Sequence, residues 1–317
     1  MTQLEPAALH AACRRVVAVV NGKGGVLKTT TAANLAGQAA DAGHSVLLVD
    51  LDPQANLSED LGITQNGAGA DGGAALFDAI ARGKELVPSH PGIRDRLDLV
   101  AADPMNTAAL VAWLAAHRDP GGVLALARAL APIAPRYDLV VIDLPPVLEE
   151  LRRIALAAAR YLVIPTQSDI SSLKGMRLIA QQFAQARQVN PDLELLGILL
   201  VLVPESARAI RDDVTASIHA DFGGNAPVFR TVIRHALAPA RDARKRGLLA
   251  HELETFVPSQ AETFARLRQR AAGATVERAV SSTAVKVAAD WAGFTEETLM
   301  RIAEREAERS GEGGAER

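Results

Sequence analysis

The stretch VVAVVNGKGGVLKTTTAANLAGQAADA, residues 16–42, decides the fold. Its first five residues are an apolar, mostly β-branched run, long enough for a buried strand and far too short to cross a bilayer. Residues 28–42 are rich in alanine and have the length of a helix. Between them, Gly22, Gly24 and Gly25 turn the chain directly from strand to helix. Such a loop presents backbone N–H groups at the positive end of a helix, an arrangement that suits a polyphosphate. Lys28 is placed to reach β- and γ-phosphates and the Thr29 hydroxyl to coordinate Mg²⁺. A merely flexible glycine turn would not need the strand before it, the helix after it and the adjoining Lys-Thr.

Residue 27 departs from the pattern GxxxxGK[ST]: Gly22 fills the first glycine position, but Leu27 fills the second. A branched side chain there costs about 1–2 kcal/mol where the backbone must be left-handed. Leu27 keeps its N–H, so Gly22, Lys23, Gly24, Gly25, Val26, Leu27, Lys28, Thr29 and Thr30 all stand as the candidate nucleotide cradle. If strain at Leu27 holds the loop away from the phosphates, a glycine in its place is expected to tighten nucleotide binding.

Outward from this loop, short apolar runs at 45–49, 97–101, 139–142, 161–164, 195–202 and 228–233 alternate with helical stretches. The helices are expected at 74–82, 107–116, 122–131, 149–159, 173–189 and 207–220. This is the rhythm of a parallel sheet covered on both faces, built from right-handed βαβ crossovers. The glycine-rich segment 65–73 reads as a surface loop. Beyond residue 254 the strand signals stop. Helices are expected there at 259–269, 274–289 and 296–308, followed by a frayed end. The expected division is therefore a nucleotide-binding α/β domain over 1–254 and a helical extension over 255–317.

Composition narrows the function classes. Hydrophobic residues at 49% and a net charge of −3 exclude a generally basic, histone-like binder, so any nucleic-acid contact must be local. The single Cys13 excludes an internal disulfide and the paired thiolates of zinc or iron–sulfur sites. No apolar run is long enough to span a bilayer, and the glutamate-rich tail is unlike a basic amphipathic anchor, so no membrane partner is expected. With about 14 residues before the first strand, an N-terminal helix-turn-helix domain is not expected.

Two further strand ends carry carboxylates. Asp143 follows the apolar run 139–142, where Mg²⁺ and nucleotide chemistry are expected in open α/β sheets. Asp50 and Asp52 end another strand, and the two-residue period is expected to place both side chains on one side. From chemistry alone their roles could be exchanged.

The string KGGVLKTT, with Lys23 five residues before Lys28, resembles the deviant Walker A motif of the ParA/MinD family, normally KGGVGKT followed by Ser or Thr. VLLVDLDPQANLS (46–58) resembles its Walker A′ region, YDLVVIDLPP (137–146) its Walker B and switch region, and LVIPTQSDISSLKGM (162–176) the segment that follows. The likeness spans residues 15–250, and the DLDPQ string favours ParA over MinD.

The resemblance implies a P-loop NTPase that dimerises around ATP and Mg²⁺, with Lys23 of one subunit reaching phosphates held by the other. Asp52 then orients the attacking water, Thr29, Asp50 and Asp143 serve the metal, and Lys23, Lys28 and Asp52 carry the slow hydrolysis of ATP to ADP and phosphate. It also implies a cytoplasmic, nucleoid-associated partition protein with a ParB-like partner. The alternatives are a hydrolysis-impaired DNA-binding relative and a positioning ATPase for a non-DNA cargo. Of the six lysines in the chain, two fall within this short loop.

A local basic signal lies at FRTVIRHALAPARDARKRG (229–247), where Arg230, Arg234, Arg241, Arg244, Lys245 and Arg246 face a single acid, Asp242. The resemblance places this segment where ParA proteins hold DNA without sequence preference. A solvated helix face is the plain alternative. Doubling the patch in a dimer strengthens phosphate contact and makes it salt-dependent.

Overall fold

The computed structural model describes residues 5–63, 73–167, 170–204, 226–272 and 278–312, with 216 and 218 besides. Strands run over Val16–Val19 (β1), Val46–Asp50 (β2), His90–Arg94 (β3), Leu97–Val100 (β4), Leu139–Asp143 (β5), Tyr161–Thr166 (β6), Glu194–Val203 (β7) and Val228–Arg234 (β8). Helices in the first half are Pro6–Ala12 (α1), Lys28–Asp41 (α2), Asn56–Asp60 (α3), Ala74–Arg82 (α4), Pro104–Ala116 (α5), Pro120–Val123 (α6) and Ala125–Leu130 (α7). In the second half they are Glu149–Ala158 (α8), Ile170–Ala186 (α9), Leu237–Arg246 (α10), Ala250–Glu254 (α11), Gln260–Ala271 (α12) and Thr283–Glu312 (α13).

The strands form one sheet in the order β3-β4-β2-β5-β1-β6-β7-β8. All pairings are parallel except β3 with β4. Every residue of β1, β2 and β5 is buried, as a strand covered on both faces requires. Alternation divides their side chains between two layers. Val16 and Ala18 face a core shared with α1, α4, α5, α7, α8 and α9. Val17 and Val19 face the other, shared with α2, α3, α11 and α13.

All seven expected strands form. The eighth, β3, carries Pro91 and Gly92 and no apolar run, so its sequence hides it; an edge position tolerates both residues. The helix expected at 107–116 begins at Pro104, because the Asp103 carboxylate caps it by accepting from the Asn106 N–H at 2.8 Å. The helix expected at 122–131 is instead two short helices joined at Leu124. Most of the loop expected at 65–73 and of the helix expected at 207–220 lies outside the described residues.

The tail needs a larger correction. In place of separate helices at 274–289 and 296–308, one 30-residue helix, α13, runs unbroken through Asp290-Trp-Ala-Gly-Phe-Thr295. Glycine inside a helix costs roughly 1 kcal/mol relative to alanine, but here it buys close packing. A Cβ at Gly293 would stand 3.3 Å from the Thr231 hydroxyl on β8. Trp291 and Phe294 are buried on either side of it, Phe294 edge-on to Phe229 of β8 at 5.0 Å between ring centres. Arg301 secures the next turn by donating to Leu196 O and Val228 O, each at 2.8 Å. The last strand ends at Arg234, ahead of the expected boundary at 254, and α13 is built into the same core as β1.

Phe294→Ala is expected to destabilise the whole protein by about 3–5 kcal/mol, the cost of emptying a packed aromatic site. Urea denaturation followed by circular dichroism measures it; a loss under about 1 kcal/mol would show α13 to be a detachable appendage.

Candidate nucleotide site

The loop after β1 lies at the centre of the sheet, between the ends of β5 and β6. Parallel register sets Asp143 beside Val19 on one side and beside Asp50 on the other. The loop is tied down at both flanks. Asn21 donates its side-chain amide to Pro165 O at 2.8 Å and accepts from the Lys23 N–H at 3.0 Å. Gln167 donates to Gly25 O at 2.9 Å. Between these ties, Gly24 and Gly25 have open space around them, Gly25 at φ 76°. Sequence reasoning missed Asn21 and Gln167 as loop anchors, although both lie inside quoted stretches.

Lys28 opens α2, buried, with Nζ donating to Lys23 O at 2.7 Å. Burial holds its ammonium below the usual lysine range, opposed by the Asp143 and Asp52 charges. Asp50 and Asp143 are fully buried. Burial raises both carboxyls, and each is raised further by a neighbouring carboxylate, Asp50 by Asp143 and Asp143 by Asp52. Thr29 and Lys28 oppose the rise at Asp143.

Asp52 does gather with Asp50 and Asp143, whose carboxyls its charge raises, but strand alternation is not the reason. β2 ends at Asp50, so strand alternation does not extend to residue 52. The two residues are joined instead by a turn, the Asp52 N–H donating to Asp50 Oδ1 at 2.8 Å. Asp52 Oδ1 in turn accepts from the Gln54 N–H at 2.9 Å.

Both carboxylate oxygens of Asp143 and Oδ2 of Asp50 are buried without a fully formed hydrogen bond, although the Thr29 hydroxyl and the Leu144 N–H approach Asp143 closely enough to lower its carboxyl. Such atoms are costly unless a cation or donor meets them. Among the described residues no group of three or more His, Cys, Asp or Glu side chains could hold a metal by itself. Magnesium bound with a nucleotide needs only one or two carboxylates, the remaining ligands being phosphates and water. The Thr29, Asp50 and Asp143 donor set fits that hard cation.

Beside the loop, a cavity of about 240 Å³ opens among Leu27, Thr30, Leu202, Ile233, Pro239 and Trp291. It lies at the C-terminal ends of β7 and β8, where open α/β sheets hold ligands. Nothing local in the sequence marked it, because its walls come from α2, β7, β8, α10 and α13.

The sequence profile described as "AAA domain" matches residues 14–195. The chromosome partitioning protein ParA of Myxococcus xanthus is 36% identical over 195 residues, covering 61% of this chain and 66% of that protein. The chromosome-partitioning ATPase Soj of Thermus thermophilus is 37% identical over 234 residues, covering 71% and 82%. A solved structure titled cobyrinic acid a,c-diamide synthase from Mycobacterium smegmatis, with bound ADP and magnesium, superposes with a TM-score of 0.60 at 29% identity, covering 83% and 99%. The chain belongs to the ParA/MinD family of deviant Walker A ATPases.

The unusual residue of this ATPase, Leu27, adopts φ 55° and ψ 31°, the left-handed conformation glycine would take. Its carbonyl accepts from the Thr31 N–H at 2.7 Å and the Thr31 hydroxyl at 2.6 Å, and its side chain packs into the cavity. The strain belongs to the folded loop itself, so its cost falls on folding stability. Leu202, in the opposite wall, is also left-handed, at φ 56°.

The basic segment is split. Arg234 is clamped by Asp290, its Nε and Nη2 donating at 2.6 and 2.7 Å. Arg244 donates to Glu59 at 2.7 Å and to Asn56 at 2.8 Å. Arg230, Arg241, Lys245 and Arg246 are exposed, Arg246 with its guanidinium 5.5 Å from the Phe256 ring centre.

Leu27→Ala and Leu27→Gly both remove the side chain from the cavity, but only glycine relieves the left-handed backbone. The glycine variant is expected to be more stable than the alanine variant by about 1 kcal/mol, the conformational gain less the extra unfolded-chain entropy of glycine. Paired urea titrations measure the difference; equal stability would show that the loop carries no strain at this residue.

Proposed function

We propose that this ATPase is a ParA-type partition switch that dimerises around ATP and Mg²⁺, holds DNA without sequence preference while dimeric, and releases it after hydrolysis. The observation that carries the reading is the buried Asp50–Asp143 pair, with oxygens that lack fully formed hydrogen bonds directly beside a phosphate loop that holds two lysines. The partition roles of the Myxococcus and Thermus relatives support the cellular setting.

Residues 22–30 cradle the phosphates, with Lys28 leaving the Lys23 carbonyl to meet them. Thr29, Asp50 and Asp143 would hold Mg²⁺, which supplies positive charge to the β- and γ-phosphates when bound. Asp52 orients the attacking water. The adenosine end occupies the cavity beside Leu27, whose mostly apolar walls suit a base. Lys23 crosses to the partner subunit. The γ-phosphate then decides whether the loop after Asp143 holds the dimer closed, and a ParB-like partner speeds turnover. The nucleotide chemistry belongs to 1–254, and 255–317 form a helical extension whose α13 packs into the same core. Among the described residues no helix is long and apolar enough to cross a membrane. The partition reading implies a cytoplasmic protein that joins the nucleoid when ATP-bound.

Leu27 favours a second reading, a relative that dimerises and binds DNA yet turns over little ATP. Phosphate release with and without DNA separates the two.

A non-hydrolysable ATP analogue with Mg²⁺ is expected to double the sedimenting mass, and Lys23→Ala to weaken that doubling more than it weakens analogue binding by the monomer. Unchanged mass under demonstrated analogue binding would sink the dimer switch.

For DNA, the exposed cations carry the contact. Arg241→Ala with Lys245→Ala is expected to weaken binding similarly on unrelated duplexes and to reduce the salt slope by about 2. Arg234→Ala should act through folding, by leaving Asp290 unpaired. Unchanged affinity and slope in the double variant would remove α10 from the interface.

A further inference from the structure

Between α8 and α9 lies a second cavity, of about 160 Å³, walled by Val123, Leu156, Ala186 and Val189 and by the polar residues Arg152, Arg153 and Gln182. That volume would hold about five waters at liquid density. Arg152 is 4% exposed. Its Nη1 donates to Pro146 O at 3.0 Å, and Arg153 Nη2 donates to Leu114 O at 3.2 Å. Both acceptors are neutral main-chain carbonyls. Arg152 Nε, Arg153 Nε and Gln182 Oε1 are each buried without a hydrogen-bond partner.

This placement runs against local electrostatics. Both arginines sit in the first turn and a half of α8, where the helix dipole disfavours positive charge. Burial lowers the Arg152 guanidinium from its usual range, with Glu149, exposed on the rim, acting in the opposite sense. Two cations therefore meet one rim carboxylate. A buried guanidinium whose N–H groups are incompletely matched is a site for an anion.

We propose that this cavity binds a tetrahedral oxyanion, inorganic phosphate, between Arg152 and Arg153. A small rotation of each side chain brings Nε to the anion. A protonated phosphate oxygen gives Gln182 Oε1 the donor it lacks, so the ligand matches all three unpartnered atoms. The Arg152 bond to Pro146 O ties the site to the loop that leaves Asp143 at the end of β5. Phosphate in the cavity fixes the first turn of α8 and, through it, that loop. No phosphate-loop residue lines the cavity, although the Arg152 charge reaches Lys28, and the site does not depend on the proposed partition role.

Calorimetric titration with inorganic phosphate tests this on the full chain in two states that silence the phosphate loop. One is saturation with a non-hydrolysable ATP analogue; the other is Lys28→Ala. One phosphate per chain is expected in both. Arg152→Gln with Arg153→Gln should weaken it at least tenfold. Arg153→Gln alone, at the half-buried position, should weaken it severalfold with an unchanged melting temperature, which separates site loss from misfolding. Absence of phosphate binding in both silenced states, or binding indifferent to the arginine substitutions, overturns the proposal. ATP titration of the wild-type chain reports on the partition reading by itself, so either idea can fail alone.

Discussion

Two carboxylates brought together by parallel register govern the nucleotide-binding end of this protein. Asp50 and Asp143 are direct neighbours on β2 and β5, fully buried, and three of their four oxygens have no fully formed hydrogen bond. In a low-dielectric interior that arrangement is unfavourable when both are ionised, and their carboxyls rise accordingly. Cations must be close by. Lys28 supplies one from the first residue of α2, and a hard divalent cation is the natural second. The phosphate loop sits where it does because β1 is adjacent to β5, which places the start of α2 over the carboxylates.

The loop that carries Lys28 is held rather than left flexible. Asn21 and Gln167 tie it to the end of β6, and Lys28 reaches back to the Lys23 carbonyl. Leu27 belongs to the same restraint. Its isobutyl group packs into the cavity shared with α10 and α13, and this burial offsets part of the cost of its left-handed backbone. The second left-handed leucine in that cavity, Leu202, lies where the β7–β8 register shifts. Strain gathered around one cavity beside the phosphate loop accords with a ligand-binding role for it.

Charge pairing redraws the surface that composition outlines. The segment 229–247 reads as six cations against one acid, yet Arg234 belongs to Asp290 of α13 and Arg244 to Glu59 of α3. These pairs hold α10 and β8 against their neighbours. Arg230, Arg241, Lys245 and Arg246 are exposed, and Arg244 also keeps about half of its side chain in solvent. The same distinction applies at α8, where Arg152 looks in the sequence like one charge in a surface helix and is in fact buried.

Sequence alone determined the parallel α/β architecture, the phosphate loop and the carboxylates at the ends of β2 and β5. Those features are written in short-range signals: the period of two in strands, alanine-rich helical stretches, and glycines between a strand and a Lys-Thr pair. Tertiary structure decided three other things. It made α13 continuous through Gly293, because β8 accepts the close approach that glycine allows. It joined Asp52 to Asp50 through a turn instead of a shared strand face. It also chose which arginines are paired, since Asp290 lies 56 residues from Arg234 and Glu59 lies 185 residues from Arg244. A residue's own neighbours in sequence fix its backbone preference, but the partner that satisfies its charge or covers its side chain is set by packing between segments far apart along the chain.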